Sequence, residues 1–267
     1  MFVGDAEVGK PPGDFIVACA HRGPSFASQT TLVAGDVLYL LLVLKTGSCS
    51  PGPSVAGTAV PVTVFIDSPT WKLASDFRTA PDQANPNPDS DGLGVWAFEH
   101  GSALHDPTSY TPLDDFIPNA FGIDGLEQWQ GSFESSSPLD RLPAVGINAT
   151  GSDQHPLNID WPANTIRVHP LAGEAVIVRW RSPLTGHVRV DAQFSDLDSS
   201  CGDGIGWYID NGTTTQASGQ IANGGAPQKV TLGFHVSTGK TIYFIVDDGG
   251  AGNYFCDSTG LTITIHT

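Results

Sequence analysis

The sequence predicts an all-β protein, a β-sandwich preceded by a smaller N-terminal β unit. Among the 267 residues Gly (31) and Pro (20) are abundant, whereas charged residues make up only 15%. This composition supplies many turns and few helix-forming residues. Short runs of Val, Ile, Thr and Tyr between Gly, Asn, Asp and Pro are typical of strands that alternate with turns. No window of the sequence shows the 3.6-residue apolar period of a helix.

The C-terminal part of the chain carries the clearest strand signals. Six runs follow one another at short intervals, and turn residues such as Asn211-Gly212 separate them. Regular spacing of this kind is the pattern of a sandwich. The predicted strands are Ala175–Trp180, His187–Phe194, Gly204–Asp210, Lys229–His235, Thr241–Val246 and Leu261–His266.

Two parts of the chain are expected, a small β unit at 1–70 and the sandwich at 71–267. The run LVAGDVLYLLL from residue 32 resembles the run VSTGKTIYFIV from residue 236, so the small unit looks like a reduced copy of the last strands. Convergence on a common strand–turn–strand pattern explains the likeness equally well. The stretch 71–164 is rich in Pro, Ser, Asp and Asn but has enough aromatic residues to pack. We expect the first strands of the sandwich there, joined by long loops.

Charge and hydropathy narrow the functional classes. A formal net charge of −16 at pH 7 argues against a nucleic-acid ligand, because phosphate binding needs clustered Lys and Arg. The longest apolar run, Val37–Leu44, is too short to span a membrane. The first ten residues lack a signal-peptide core. Either a leader has been removed or the protein leaves its cell without one, so we expect an extracellular or cell-surface location, with a virion as the alternative.

Four cysteines stand singly in turn-rich stretches, without the spacing of a zinc site. An even number in such a chain indicates disulfides and an oxidising environment. Three pairings are possible in principle. We favour Cys19–Cys49 and Cys201–Cys256, because each pair then stays within one of the two parts.

Several motifs between residues 75 and 210 occur in the order of a known family. They are Asp76-Phe77, Gly94-Val95-Trp96, Gly125–Gly131, Pro143–Gly151 and, as the strongest, the run HPLAGEAVIVRWRSPLTG from His169. In these motifs the chain resembles a galactose-binding-like jelly-roll module of secreted and surface bacterial proteins, many of which carry exosortase-type sorting signals. The resemblance implies a jelly-roll β-sandwich used for binding or surface assembly, without catalytic residues. The two cysteine loops depart from it, as does the lack of a sorting tail after the last strand.

Acidic side chains predict two Ca²⁺ sites, because Ca²⁺ prefers carboxylate and carbonyl oxygens. If Cys201 and Cys256 pair, six aspartates come together. These six are Asp196, Asp198, Asp203, Asp247, Asp248 and Asp257. Separately, a run that begins at Asn87 has Asp89, Asp91 and Gly92 where the front half of an EF-hand loop has oxygen ligands and a glycine. Its twelfth residue is Phe98, where an EF-hand has a glutamate ligand. The alternative for all of these residues is that they only form turns.

Aromatic residues in the middle of the chain predict a glycan site, since sugars stack on exposed aromatic rings. The candidates in loop-rich sequence are Trp96, Trp129, Trp161 and Tyr110, whereas Trp180 and Trp207 lie in predicted strands and are expected in the core. The leading functional hypothesis is therefore glycan binding or surface adhesion by a non-catalytic protein.

Two other functions stay open. A structural protein of a virion or extracellular fibre would assemble with copies of itself, for instance by strand complementation. A polysaccharide-active glycosidase or lyase comes third, since the sequence has no nucleophile elbow, zinc-protease, Walker or dinucleotide motif. We therefore expect no enzymatic activity and no cofactor other than structural Ca²⁺.

Overall fold

The computed structural model describes residues 69–77, 85, 95–137, 139–250 and 252–267, without the side chains of 134–137. Apart from its last two residues, the predicted small unit at 1–70 lies outside the described residues. So do Cys19, Cys49, Asp89 and Asp91, and the disulfide and Ca²⁺ predictions made for them stay predictions. Among the described helices, none combines the length and the apolar character that crossing a membrane requires.

Fourteen short strands make up most of the described chain, with one helical turn, α1 (Leu73–Asp76), and two 3₁₀ turns. The strands are β1 (Thr70–Lys72), β2 (Trp96–Gly101), β3 (Thr111–Pro112), β4 (Asp115–Ile117), β5 (Leu126–Ser137), β6 (Asp140–Asn148), β7 (Ile166–His169), β8 (Ala175–Arg181), β9 (Gly186–Asp196), β10 (Ile205–Asn211), β11 (Thr214–Ile221), β12 (Gln228–Val236), β13 (Thr241–Asp247) and β14 (Thr259–His266). The 3₁₀ turns are Pro107–Ser109 and Ala120–Gly122.

The strands form two antiparallel sheets. One sheet has the order β12-β9-β14-β7-β6-β5-β4, with β1 also paired to β14, and the other has the order β11-β10-β13-β8-β2-β3. Most neighbours in a sheet are distant in sequence, as in a sandwich whose chain crosses repeatedly between its layers. The predicted all-β sandwich is therefore confirmed.

The core follows from the alternation of side chains along the strands. In β9, Val188, Val190, Ala192 and Phe194 are buried, while the residues between them are more exposed. This is the period of two expected for a strand with one face on the core. Strands β8 and β13 are buried almost throughout, because further side chains cover their outer face as well.

The first motifs of the family resemblance contact each other. The Nε1–H of Trp96 donates to Asp76 Oδ2 at 3.0 Å, and the rings of Phe77 and Phe98 lie 4.8 Å apart. These contacts attach the segment before β2 to the sandwich, so these motif residues have a structural role.

The first and last described strands lie side by side. Thr70 pairs with His266, and the backbone N–H of Thr267 donates to the carbonyl of Pro69 at 3.3 Å. On the core side of β1, the ring of Trp71 meets Trp180 edge-on with centroids 5.4 Å apart.

Candidate functional site

Three of the four aromatic residues predicted to bind a glycan are buried. Trp96 and Trp129 lie in strands β2 and β5, which turn them into the core, and Trp161 is buried in a second apolar cluster where its Nε1–H donates to the carbonyl of Thr165 at 2.9 Å. The prediction that these rings are exposed is wrong, although Trp161 does lie in the connection between β6 and β7. A ring enclosed on both faces has no surface to offer a sugar, so we assign all three to the core.

The remaining aromatic predictions have mixed outcomes. Tyr110 is only partly exposed, and its ring meets Tyr243 edge-on with centroids 5.4 Å apart. Burial, followed by the nearby Asp210 carboxylate, raises the pKa of its hydroxyl. Trp180 and Trp207 are buried, as predicted for residues of core strands.

One end of the sandwich carries a disulfide, a cluster of aspartates and a group of exposed aromatic rings. A disulfide joins Cys201, in the loop between β9 and β10, to Cys256, in the loop between β13 and β14, with Cα atoms 5.6 Å apart. This predicted pair is confirmed. We call the two loops, residues 197–204 and 248–258, the disulfide end.

Five of the six aspartates predicted near this disulfide form an acidic cluster. Its members are Asp196, Asp198, Asp203, Asp248 and Asp257. Asp257 is only 2% exposed. Its burial, and then the negative charges of the other four members, raise the pKa of Asp257 to about 8. Burial also raises the pKa of Asp198.

Backbone amide groups use the carboxylates of two cluster members. Asp196 accepts from the N–H groups of Asp198 and Gly224, both at 2.7 Å, and Asp248 accepts from the N–H of Gly173 at 3.0 Å. Asp248 also accepts from the N–H of Gly250 at 3.0 Å. Because Asp198 and Gly250 each follow their aspartate by two residues, both aspartates have the turn-forming role as well as a longer-range contact.

The sixth predicted aspartate, Asp247, has a different position. Its Oδ1 accepts from the backbone N–H groups of Gly206 and Gly249, each at 3.1 Å, and its Oδ2 lies 3.4 Å from the hydroxyl of Tyr208. It holds the end of β13 to β10, and it is not among the carboxylates that act on Asp257.

An exposed aromatic patch lies at the same end and consists of Phe133, Tyr254 and Phe255. The rings of Tyr254 and Phe255 are stacked, with centroids 4.6 Å apart and planes 24° apart. Phe133, from β5, meets Tyr254 edge-on at 5.8 Å. Phe255 is 64% exposed and Phe133 42% exposed. Sequence reasoning missed the patch as a site, although two adjacent aromatic residues before a disulfide cysteine in a Gly-rich loop were a usable signal.

A polar cleft of about 340 Å³ lies at the disulfide end, where residues of both loops line it. Asp203, Gln220 and Asp248 are among the residues that line it. Asp203 also accepts a hydrogen bond from Asn253 Nδ2 at 3.2 Å, and Asn253 directly precedes Tyr254. The cleft and the patch are therefore connected through one hydrogen-bonded pair.

A buried cation fixes the chain next to the acidic cluster. Arg167 Nη1 donates to Asp140 Oδ1 and Gln128 Oε1, both at 3.1 Å, and Arg167 Nε donates to Ser258 Oγ at 3.2 Å. Because the guanidinium is buried and held by these partners, it fixes Ser258 and thereby the neighbouring Asp257.

Comparisons with known proteins return distant similarities only. The sequence matches no protein-family model and no curated protein. Solved structures that resemble it include CBM51 from Clostridium perfringens GH95 in complex with methyl-galactose, at 9% identity and a TM-score of 0.32, over 57% of this chain and 100% of that one. A native family 35 carbohydrate-binding module from Clostridium thermocellum matches at 10% identity and a TM-score of 0.26, over 38% and 75% of the two chains.

A third match is the M60 catalytic domain with the CBM51-1 and CBM51-2 domains of Clostridium perfringens ZmpB, at 10% identity and a TM-score of 0.34. The match takes in 57% of this chain but only 15% of that longer one. At such scores we transfer neither a ligand nor a site residue from these proteins.

Proposed function

We propose that this protein binds a glycan outside the cell through the aromatic patch of Phe133, Tyr254 and Phe255. The exposure of the patch carries this proposal. In the described part of the chain the exposed large apolar side chains are Phe133, Leu157 and Phe255, and two of the three meet around Tyr254. Exposed apolar surface that is gathered in one place marks a binding site more often than scattered residues do.

The chemistry of the patch and cleft suits a sugar. Aromatic rings take the C–H face of a sugar ring, while nearby polar groups fix its hydroxyls. Hydroxyls can donate to the carboxylates of Asp203 and Asp248, and the amide of Gln220 can both donate and accept. A cleft of about 340 Å³ has room for one or two sugar units.

Charge points to a neutral glycan. Asp203 and Asp248 line the cleft, and the whole chain has a net charge of −16. Both the local carboxylates and the net charge repel anionic sugars such as uronic acids and sulfated sugars. The Cys201–Cys256 disulfide supports an oxidising location such as the cell surface or the extracellular space.

A glycan array followed by calorimetric titration of the full chain tests the proposal. We expect binding to neutral glycans, and we expect Tyr254→Ala and Phe255→Ala each to weaken it about tenfold, the loss of one stacking contact. Leu157→Ala removes another exposed apolar side chain and is the matched control, with unchanged affinity. If no glycan binds, or if Phe255→Ala binds as tightly as the wild type, the patch is not a sugar site.

Self-assembly as a structural protein is the second candidate. Strands β11 and β12 are each the last strand of a sheet among the described residues, and such edges can pair with another chain. This function requires oligomers, so sedimentation analysis that shows a monomer at high concentration argues against it.

A further inference from the structure

Asp257 is a buried carboxylate without a hydrogen-bonding partner. Within the described residues neither Oδ1 nor Oδ2 receives a hydrogen bond, although the side chain is only 2% exposed. Buried carboxylates in folded proteins are normally paired with a cation or hydrogen-bonded. The buried Asp248 obeys this rule, and the half-buried Asp196 likewise accepts from backbone N–H groups, so Asp257 differs from both neighbours.

A small, partly open space adjoins Asp257. Its volume is about 10 Å³, which is the size of one water molecule or one bare ion. Asp196, Asp257, Asn223 and Thr259 are among its lining residues. Its walls Gly204, Ile205 and Ile221 also line the larger polar cleft, so the space lies directly behind a solvent-accessible opening.

We propose that this space is a Ca²⁺ site in which the carboxylate of Asp257 is the central ligand. Asp196, Asn223 and Thr259 also line the space, and the side chain of each carries an oxygen atom that can bind Ca²⁺. The Thr259 hydroxyl donates a hydrogen bond to the carbonyl of Asp257 at 3.1 Å. The lone pairs of the hydroxyl oxygen therefore stay free for an ion. Of the six aspartates that the sequence predicted as Ca²⁺ ligands, only Asp196 and Asp257 line this space.

The positive charge needed here is not supplied by the surrounding described side chains. Arg167 is the nearby cation, but its guanidinium is already bound to Asp140, Gln128 and Ser258. Four further aspartates add negative charge around Asp257. A bound divalent cation would balance this charge, whereas a water molecule would only supply hydrogen bonds.

The donor atoms favour Ca²⁺ over other common ions. All of them are hard oxygen donors, which Ca²⁺ prefers. Asn223 and Asp257 lie in loops, whereas Asp196 ends β9 and Thr259 begins β14. This mixed set suits the flexible coordination of Ca²⁺ better than the strict octahedron of Mg²⁺. The two sulfur atoms nearby, those of Cys201 and Cys256, are joined in the disulfide and offer no thiolate to Zn²⁺.

Equilibrium dialysis with Ca²⁺, followed by thermal unfolding, tests the site on the full chain after treatment with EDTA. We expect saturable uptake of Ca²⁺ and a rise in Tm of about 5 °C or more at a Ca²⁺ concentration 100 times Kd. Asp257→Asn is expected to remove one bound Ca²⁺ per chain and the rise in Tm. Mg²⁺ at equal concentration is expected to produce a smaller rise.

Two controls separate this site from general charge effects. Asp160→Asn changes the charge equally at an exposed position whose side chain is 77% accessible, and it should keep full uptake. The double variant Asp89→Asn/Asp91→Asn removes the two carboxylates of the EF-hand-like sequence. It should still bind the Ca²⁺ ion that depends on Asp257.

A second variant keeps the test decisive if Asp257→Asn fails to fold. Thr259→Val preserves the shape of the side chain and removes one proposed ligand, so we expect Ca²⁺ affinity at this site to fall about tenfold, the equivalent of one lost ligand contact. The absence of saturable Ca²⁺ uptake by the wild type, or unchanged uptake by Asp257→Asn, would overturn the proposal. None of these outcomes depends on whether a glycan binds.

Discussion

The indole of Trp207 lies parallel to the ring of Phe194, with centroids 4.6 Å apart and only 13° between the two planes. Phe194 belongs to β9 in one sheet and Trp207 to β10 in the other, so the stack joins the two layers of the sandwich. The Nε1–H of Trp207 also donates to Gln228 Oε1 at 2.9 Å, which ties β10 to the start of β12. The stack lies next to the loop that carries Cys201 and therefore supports the disulfide end.

Replacing Trp207 with Ala should lower the free energy of unfolding by about 3–5 kcal/mol, because the change leaves a large cavity between the sheets. Denaturation in guanidinium chloride measures the effect. Leu157→Ala shortens an exposed side chain and should stay within about 0.5 kcal/mol of the wild type. Equal effects of the two substitutions would show that the stack does not join the sheets as described.

A substitution at Gly219 tests the packing around Trp207, because Gly219 lies in β11 directly opposite Trp207. A Cβ atom at Gly219 would lie 2.7 Å from two carbons of the Trp207 ring, too close for an ordinary contact. We therefore expect Gly219→Ala to cost about 1–3 kcal/mol of stability, as overpacking does. Gly233, in β12, has open space in this direction, so Gly233→Ala is the matched control and should be neutral or slightly stabilising. Thermal unfolding of both variants decides the point.

His169 should make the protein sensitive to mild acid. Burial, and then the nearby Arg167, lower the pKa of His169 to about 4, although Asp140 and the carbonyl of Pro170 act in the opposite direction. In the unfolded chain a histidine has a pKa of about 6.5. Between these two values the unfolded state binds more protons than the folded state, so stability falls as the pH decreases from about 6.5 to about 4.

The contribution of His169 to this loss is on the order of 3 kcal/mol. His169→Gln should flatten the pH dependence of the free energy of unfolding in this interval. His155→Gln, which replaces an exposed imidazole, is the control variant. An identical acid profile for the wild type and His169→Gln would show that His169 is protonated equally in both states.

The strands that the sequence predicted are those with a regular apolar alternation or a continuous apolar run. The predicted strands Ala175–Trp180 and Thr241–Val246 end within one residue of the observed β8 and β13. Both strands are buried almost throughout, so their sequences are continuous apolar runs that are easy to recognise. Strand β11 (Thr214–Ile221) was not predicted. It forms an exposed edge of its sheet and carries mainly Thr, Gln, Ser and Gly, so only its pairing with β10 makes it a strand.

The site was harder to predict than the fold, for two physical reasons. Whether a Trp is exposed depends on which face of a strand it occupies, and the irregular sequence around Trp96 and Trp129 concealed the strands that bury them. Asp257 and Asp248 look alike in sequence. Their difference appears only in three dimensions, where the N–H of Gly173 reaches Asp248 and no described donor reaches Asp257.

The adjacency of Thr70 and His266 has a mechanical consequence. A pulling force applied through residues 69 and 267 would act at the same edge of the β1–β14 pair, where Thr70 faces His266 and Lys72 faces Thr264. In that geometry the hydrogen bonds open one after another, as in a zipper, instead of sharing the load in shear. Resistance to tension would therefore depend on the edge-on contact of Trp71 with Trp180 more than on the ladder itself.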